Sequence, residues 1–462
     1  MYLKAAFVLL ATVLATAPLM LGSHRPIAWV VNGTLVALAL LALAIDVMRK
    51  GPAVPFGKIA LPLAGGVAVC AYIAFQLAPI GGPLADPTWE EATRALGVSL
   101  AGSISVDRDA TLAALLRALT CFSVFLVALQ LGRTPARARH GVAILFWSAV
   151  AYACYGLLVT LAGSDRVLFF ERFGYEGVLT GTFVARNAFA ALLGVGLVCG
   201  AVLIVGMFDR IAHAHERDVR LGRATAVEEV TRGGGLVLLG SLALLSALML
   251  TGSRAGVAAS LAGAACVFLL WRVRSTRSRS ALRVAVLGAA VLLVGVLAIS
   301  GATVIERLED TERSAAFRAQ LYDAAFDAIA ARPLTGGGAG AYPALFPEVR
   351  PPGLPSGRTF GEAHNTYLEL AATLGLPMTA VLLAVLAALV ARAASALWTR
   401  RRDHAAPLAA IGAAVLFALH SLVDFSLQIQ ANALWLSALL GFGVAQSWRR
   451  GSLPEDRRHG AV

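Results

Sequence analysis

Apolar runs long enough to cross a bilayer recur along the whole chain, each broken by a polar segment. The first run is Ala5 to Leu21 and the second Ile27 to Met48. Others cover Ile59–Ile80, Leu112–Leu131, Val142–Leu161, a run opening at Gly181, Leu236–Leu250, a run after Arg254, Val284–Val304 and Leu376–Leu397. Two more end near Asp424 and Trp448. A spanning helix needs roughly 17 to 25 apolar residues, so the pattern predicts about twelve transmembrane helices. The fold class expected is an all-α polytopic membrane protein. The N-terminal run lacks a small-x-small cleavage site and is read as the first span.

The polar segments are unequal. Arginine and lysine gather in alternate loops: Arg49 and Lys50, Arg133 to Arg139, Arg272 to Arg279, Arg400 to Arg402, Arg449 and Arg450. The positive-inside bias places these in the cytoplasm together with both termini. A large excursion between spans 9 and 10, residues 305–374, then faces the periplasm. Residues 1–180 form an N-terminal group of spans 1–5, and 181–462 a second region holding spans 6–12 and the excursion. Inside the excursion Phe317, Leu321, Ala324, Ala325 and Ala328 sit at helical spacing, predicting an amphipathic helix from Arg313 that Pro333 ends. Asp86 to Glu91 opens a shorter helix in the external segment before span 4.

Composition agrees. Hydrophobic residues make up 58% of the chain and charged ones 14%, with mean hydropathy +0.75, whereas soluble domains are about a quarter charged. The net charge of +12 lies in the cytoplasmic loops, and no basic face interleaved with aromatics calls for nucleic acid. The five cysteines fall inside apolar runs at no metal-ligand spacing, which suits small packing residues.

Candidate chemistry gathers at one end of the spans. His364, Asn365, Tyr367 and Glu369 lie within two helical turns, after a bend containing Gly336 to Gly340. Asn365 can cap a helix that stops at Gly375 and Pro377, with Glu369 one turn on. Arg186, beside Asn187, and Arg254 each stand among small residues at an outer span end. Arginine in an apolar segment costs about 2.5 to 3.5 kcal/mol at mid-helix, so each needs a reason. Snorkelling to the interface is one; the other is two planar forks converging on a phosphorylated ligand, with Arg318 as a third. His364 becomes a candidate general base through its neighbours, with Glu369 its catalytic companion. His420 and Asp424, one helical turn apart, either line the same cavity or bond each other. Asp107-Arg108-Asp109 has a metal-binding spacing, but a cap at Asp109 explains it; no metal is expected. Gly336 to Gly340 lacks the Lys-Ser/Thr of a nucleotide loop and reads as a flexible bend.

In this order, the residues from Gly181 to Asn187, Ser253-Arg254-Ala255-Gly256, Arg318, Arg332 to Gly338, His364 to Glu369, Gly375, and His420 to Asp424 resemble the O-antigen ligase and polymerase superfamily of bacterial inner membranes. The resemblance implies a metal-independent glycosyltransferase of the inner membrane that faces the periplasm and needs no cofactor. Its donor would be a glycan on undecaprenyl pyrophosphate, and its acceptor a hydroxyl of a glycan or of lipid A-core. It places Arg186 and Arg254 on the pyrophosphate and His364 beside the acceptor. One departure is Leu321-Tyr322, where the family often has Trp. A flippase or transporter of lipid-linked glycans is the alternative from another class, and a protein oligosaccharyltransferase the alternative within the superfamily. Polar residues at span ends, rather than broken helices at mid-membrane, favour chemistry over transport.

Overall fold

The computed structural model describes residues 1–164, 166–171, 177–274, 304–352, 354, 361–400 and 403–448, and for 304–316 the backbone alone. The described helices are α1 (Tyr2–Thr16), α2 (Pro26–Lys50), α3 (Ala60–Gln76), α4 (Thr88–Leu96), α5 (Arg108–Leu131), α6 (Pro135–Leu161), α7 (Arg186–Arg217) and α8 (Val219–Glu229). There follow α9 (Gly235–Leu250), α10 (Arg254–Arg274), α11 (Val304–Ala331), α12 (Tyr342–Leu345), α13 (Thr366–Thr399), α14 (Ala405–His420) and α15 (Gln430–Ala445). One two-stranded hairpin, Arg166–Val167 with Phe170–Glu171, lies between α6 and α7.

The chain is an all-α polytopic membrane protein. Among the described residues nine helical segments are long and apolar enough to span, and α14 and α15 are shorter apolar helices. The expected span Val284–Val304 lies, but for its last residue, outside the described residues; so do Arg277, Arg279, Arg401, Arg402, Arg449, Arg450 and 172–176.

Which helix is central follows from burial. The apolar window of α7 is 83% buried, against 22% to 39% for the other spans. Those others turn leucines such as Leu61, Leu239 and Leu242 outward, as helices do against lipid. Close packing in a membrane relies on small residues, because apolar side chains gain little over lipid contact. Accordingly a Cβ on Gly263 of α10 would lie 2.6 Å from the Gly412 carbonyl of α14, and one on Gly441 of α15 would lie 2.6 Å from the Phe125 carbonyl of α5.

The excursion packs on the ends of these helices. Leu321, Ala324, Ala325 and Ala328 of α11 are buried against Tyr342, Phe346, Ala363 and Ala372, as the helical spacing predicts. The helix starts earlier than expected, at Val304, and ends at Ala331. Arg332 then ties the excursion to the segment between α3 and α4, its Nε 2.5 Å from Asp86, while its Nη2 lies 2.8 Å from Glu348 of the excursion.

Two local expectations are corrected. Asp107, rather than Asp109, caps α5, its side chain accepting from the Ala110 amide; Asp109 lies in the first turn. The Gly336–Gly340 segment is also not merely a flexible bend. The Gly337 and Gly338 amides donate to the Ala372 and Thr373 carbonyls at 3.0 Å. The Gln76 side chain donates to the Thr335 and Thr373 carbonyls and accepts from the Ala339 amide. One amide thus ties the end of α3 to the turn and to α13.

Helix α13 does not stop at Gly375 but kinks there, with φ 75° and ψ 160°. A side chain would collide with the Leu334 carbonyl, so only glycine suits both the conformation and the approach. The Leu376 amide, freed by the kink, donates to the Pro333 carbonyl at 2.8 Å, and Pro377 has no amide to satisfy.

Candidate active site

Both arginines singled out by their surroundings are the first residues of their helices, Arg186 of α7 and Arg254 of α10. The turn before α10 is closed by Thr251, whose hydroxyl donates to the Leu248 carbonyl at 2.7 Å. The Gly256 amide then reaches the Ser253 hydroxyl at 3.2 Å. Gly252, at φ 62°, leaves open the place where a Cβ would stand 3.4 Å from Nη1 of Arg186. The Arg186 guanidinium therefore lies over the turn that starts α10, two residues before Arg254. A helix start exposes unsatisfied amides and the positive end of the dipole, worth about 0.3 to 1 kcal/mol against a nearby cation. Two helix starts, each opening with an arginine, form a setting that favours an anion.

Around His364 the chain is held by an interlocking set of bonds. Asn365 caps α13, accepting from the amides of Tyr367 at 3.0 Å and Leu368 at 3.1 Å. Its own amide group donates to the Leu422 carbonyl at 2.9 Å. Thr366 donates through its backbone to the Ser421 carbonyl and through its hydroxyl to the Asp424 carbonyl, both at 2.9 Å. The Tyr322 hydroxyl of α11 bridges the His364 and Leu422 carbonyls at 3.3 and 3.2 Å. Three elements distant in sequence thereby fix one short turn. His364 sits in it at φ 52°, a left-handed conformation costing a side-chain-bearing residue roughly 1 to 3 kcal/mol.

The Asp424 carboxylate is buried, 1% exposed. One oxygen accepts from the Asn187 amide at 2.9 Å and the other from the Ser426 hydroxyl. Asn187 follows Arg186 directly, so Asp424 links the start of α7 to the turn at His364. The His364 ring meets Phe425 edge-on at 5.2 Å, and its Nδ1 is buried without a hydrogen-bond partner among the described residues. Burial holds the His364 pKa below the usual histidine value; the Asp424 charge pulls it up and the Arg318 charge pushes it down. The same two charges act on His420, whose ring nitrogens are both buried and unpartnered among the described residues. Nearby, burial and then Asp424 raise the Glu362 carboxyl.

The structure thus brings His364, Asn365, Arg318, His420, Asp424 and Asn187 into one cluster, with Arg186 next to Asn187 in sequence and Arg254 two residues on from the turn that Arg186 overlies. Tyr367 stands on the same helix turn, but its hydroxyl is directed to the Ala418 carbonyl at 2.8 Å. Glu369 is turned elsewhere: its carboxylate accepts from the Ala363 amide at 2.9 Å and hydrogen-bonds the Gln428 side chain. The carboxylate acting on His364 is Asp424. Tyr322, Ser426 and Phe425 join the cluster without having been singled out for it. No local pattern signals Tyr322, whose partners lie on other elements, whereas Ser426 stands two residues from Asp424 and could have been found from that spacing. Among the described residues no group of three His, Cys, Asp or Glu side chains is disposed to hold a metal ion.

These features define a polytopic helical membrane protein with a polar, histidine-containing cluster where helix ends and a long excursion meet. Residues 239–383 match the family model described as O-antigen ligase. That match supports membership of the O-antigen ligase and polymerase superfamily. The matched segment carries Arg254, Arg318 and His364, while Arg186, Asn187, His420 and Asp424 lie outside it. A search of curated proteins found no match.

Proposed function

We propose that this protein is a periplasm-facing glycosyltransferase that moves a glycan from undecaprenyl pyrophosphate to an acceptor hydroxyl, with inversion and without a metal. The family match supports glycosyl transfer between lipid-linked glycan and glycan acceptor at the general level. What carries the finer reading is the continuous path Arg186, Asn187, Asp424, His364: an anion-favouring place joined through one buried carboxylate to a histidine with a free ring nitrogen.

The chemistry follows. Breaking the bond between the anomeric carbon and the pyrophosphate oxygen leaves negative charge on the leaving group. Arg186, Arg254 and the two helix starts are placed to stabilise it, with Arg318 contributing to the field. As the acceptor oxygen bonds to the anomeric carbon its proton must leave, and His364 takes it. Burial favours the neutral form of His364, which is the form that accepts a proton. Asp424 stabilises the imidazolium that results, and Glu369 orders the 361–363 segment through the Ala363 amide. With one base and, among the described residues, no carboxylate assigned as a nucleophile, direct displacement is the expected course.

The test is to incubate purified protein with undecaprenyl-pyrophosphate-linked glycan and a panel of glycan, lipid A-core and peptide acceptors, and to identify the product by mass. A glycosylated acceptor with released undecaprenyl pyrophosphate is expected. Movement of intact donor across vesicles with no product would instead establish the transporter reading, and a glycosylated peptide the protein oligosaccharyltransferase reading.

A further inference from the structure

A second feature adjoins the first turns of α13. A cavity of about 370 Å³ opens between α3, α5, α13 and α15, and none of Arg186, Arg254, Arg318 or His364 lines it. Its walls are mostly apolar side chains such as Ile73, Phe122, Leu386 and Leu440, with Arg117, Glu369, Gln428 and Gln430 gathered towards one end. On α5 the lining runs from Ala114 to Phe125, about 16 Å of helix at 1.5 Å per residue. That is close to half of a hydrocarbon core of about 30 Å, the depth of one leaflet.

The polar end is unfinished. Gln430 is 2% exposed; its Oε1 accepts from Asn32 at 3.0 Å, yet its Nε2 donor has no partner among the described residues. Nε of Arg117 is likewise buried and unpartnered. The Arg117 guanidinium rests over the Trp29 ring at 4.6 Å and reaches the Gln428 carbonyl only at 3.5 Å. A buried donor without an acceptor costs roughly 1 to 3 kcal/mol. Two of them at the head of an apolar slot, one on a cation that shares this end with the Glu369 carboxylate, call for an acceptor-rich head group, such as a phosphate, joined to a hydrocarbon chain.

We propose that this cavity seats an acyl chain of the lipid-anchored acceptor, with its phosphorylated head at Arg117 and Gln430. The proposal rests on the glycosyltransferase reading above and narrows its acceptor to a membrane lipid. A donor held at Arg186 and Arg254 leaves this side free, and two lipid-borne reactants need two seats. The depth of one leaflet matches an acyl chain, whereas a polyprenyl chain several times longer would overrun it. Thr366 joins the two sites: it lines the cavity while its backbone and hydroxyl bond the 421–424 turn. A lipid head seated here therefore lies two residues from His364.

The test uses the full-length protein in lipid nanodiscs and two photoactivatable probes, a phosphatidic acid with a diazirine midway along one acyl chain and undecaprenyl phosphate with a diazirine at its far end. The phosphatidic acid is expected to crosslink within 114–125 and 433–440, and Ala118→Trp to cut that labelling at least tenfold. Leu386→Trp, on another helix, should do the same and guards against misfolding of the first variant. Arg117→Gln combined with Gln430→Leu should weaken labelling several-fold. In turnover, Ala118→Trp should lower the ratio of transfer to a lipid-anchored acceptor over a soluble glycan acceptor at least tenfold. Unchanged labelling in both Trp variants would mean only surrounding lipid is sampled and would overturn the proposal. Polyprenyl adducts at these segments, or equal loss with both acceptors, would make the cavity the donor's seat and overturn it too. Absence of transfer to every acceptor would defeat the glycosyltransferase reading instead, leaving the labelling to decide the cavity.

Discussion

Two carboxylates are buried near the first turns of α13, and they do different things. Glu369 is 6% exposed and Asp424 1%. The Glu369 group bonds a backbone amide and a neutral side chain, and beyond it lies the apolar cavity. Asp424 also accepts two neutral hydrogen bonds, but Arg318 and two histidines, each with a buried ring nitrogen unpartnered among the described residues, stand in its field. Burial alone therefore does not mark a chemical group. What distinguishes Asp424 is that two histidines stand in its field, whereas the charges facing Glu369 are Glu362 and Arg117.

The comparison can be broken most directly at His364. His364→Ala is expected to cut turnover about 10²- to 10⁴-fold with donor binding retained, since the arginines hold that end. His364→Gln should not recover it, because an amide cannot take the proton. Turnover within a few-fold of wild type in His364→Gln would remove the base from this side altogether. Donor binding is read by retention of labelled lipid on the purified variants.

Next comes the anion end of the Asp424 path. Arg254→Lys should lose about tenfold or more in rate, because an ammonium cannot reproduce the planar fork. Full activity would show that diffuse charge suffices there. The Glu369 side predicts a different readout. Glu369→Leu should destabilise the protein by about 1 to 3 kcal/mol, the cost of orphaning the Ala363 amide. Thermal unfolding in detergent measures this. A loss of turnover as large as that of His364→Ala, at unchanged stability, would reverse the roles given to the two carboxylates.

The smallest effect is the most diagnostic. As a base, His364 works deprotonated, so activity should fall as pH drops through its pKa, which burial sets below the ordinary value. Asp424→Asn removes the charge that raises it, and the acid limb of the rate profile should move to lower pH. Arg318→Gln removes a charge that lowers it, and the limb should move to higher pH. Shifts opposite in sign are expected. Equal displacement in both variants would mean that neither charge is felt at the histidine.

The reach of sequence reasoning can be seen at the same residues. Runs of apolar residues locate the described spans because lipid tolerates little else, and the cap at Asn365 is visible because its bonds are local. The link from His364 to Glu369 fails for a local reason. His364 precedes the cap at φ 52°, so it does not belong to the helix whose periodicity would bring Glu369 round to it. The spacing of His420 and Asp424 suggests one helical face, but α14 ends at His420. The bond that matters for Asp424 comes from Asn187, 237 residues away. Side-chain pairing across such distances leaves no periodic trace.

The amide of Gln76 has a further consequence, for the order in which the molecule is made. One of its partners, the Thr373 carbonyl, follows it by 297 residues, so the knot between α3, the glycine turn and α13 is a long-range closure. Loop-closure entropy grows only slowly with length, and such a contact weighs on the time of assembly more than on final stability. During synthesis the helices before residue 250 can enter the bilayer and pair while the histidine turn is still unmade. The two sides of the reaction centre come together only when α13 and the 421–424 turn have emerged. A nascent chain thus holds its earlier helices as an inert bundle until α13 and that turn have been made.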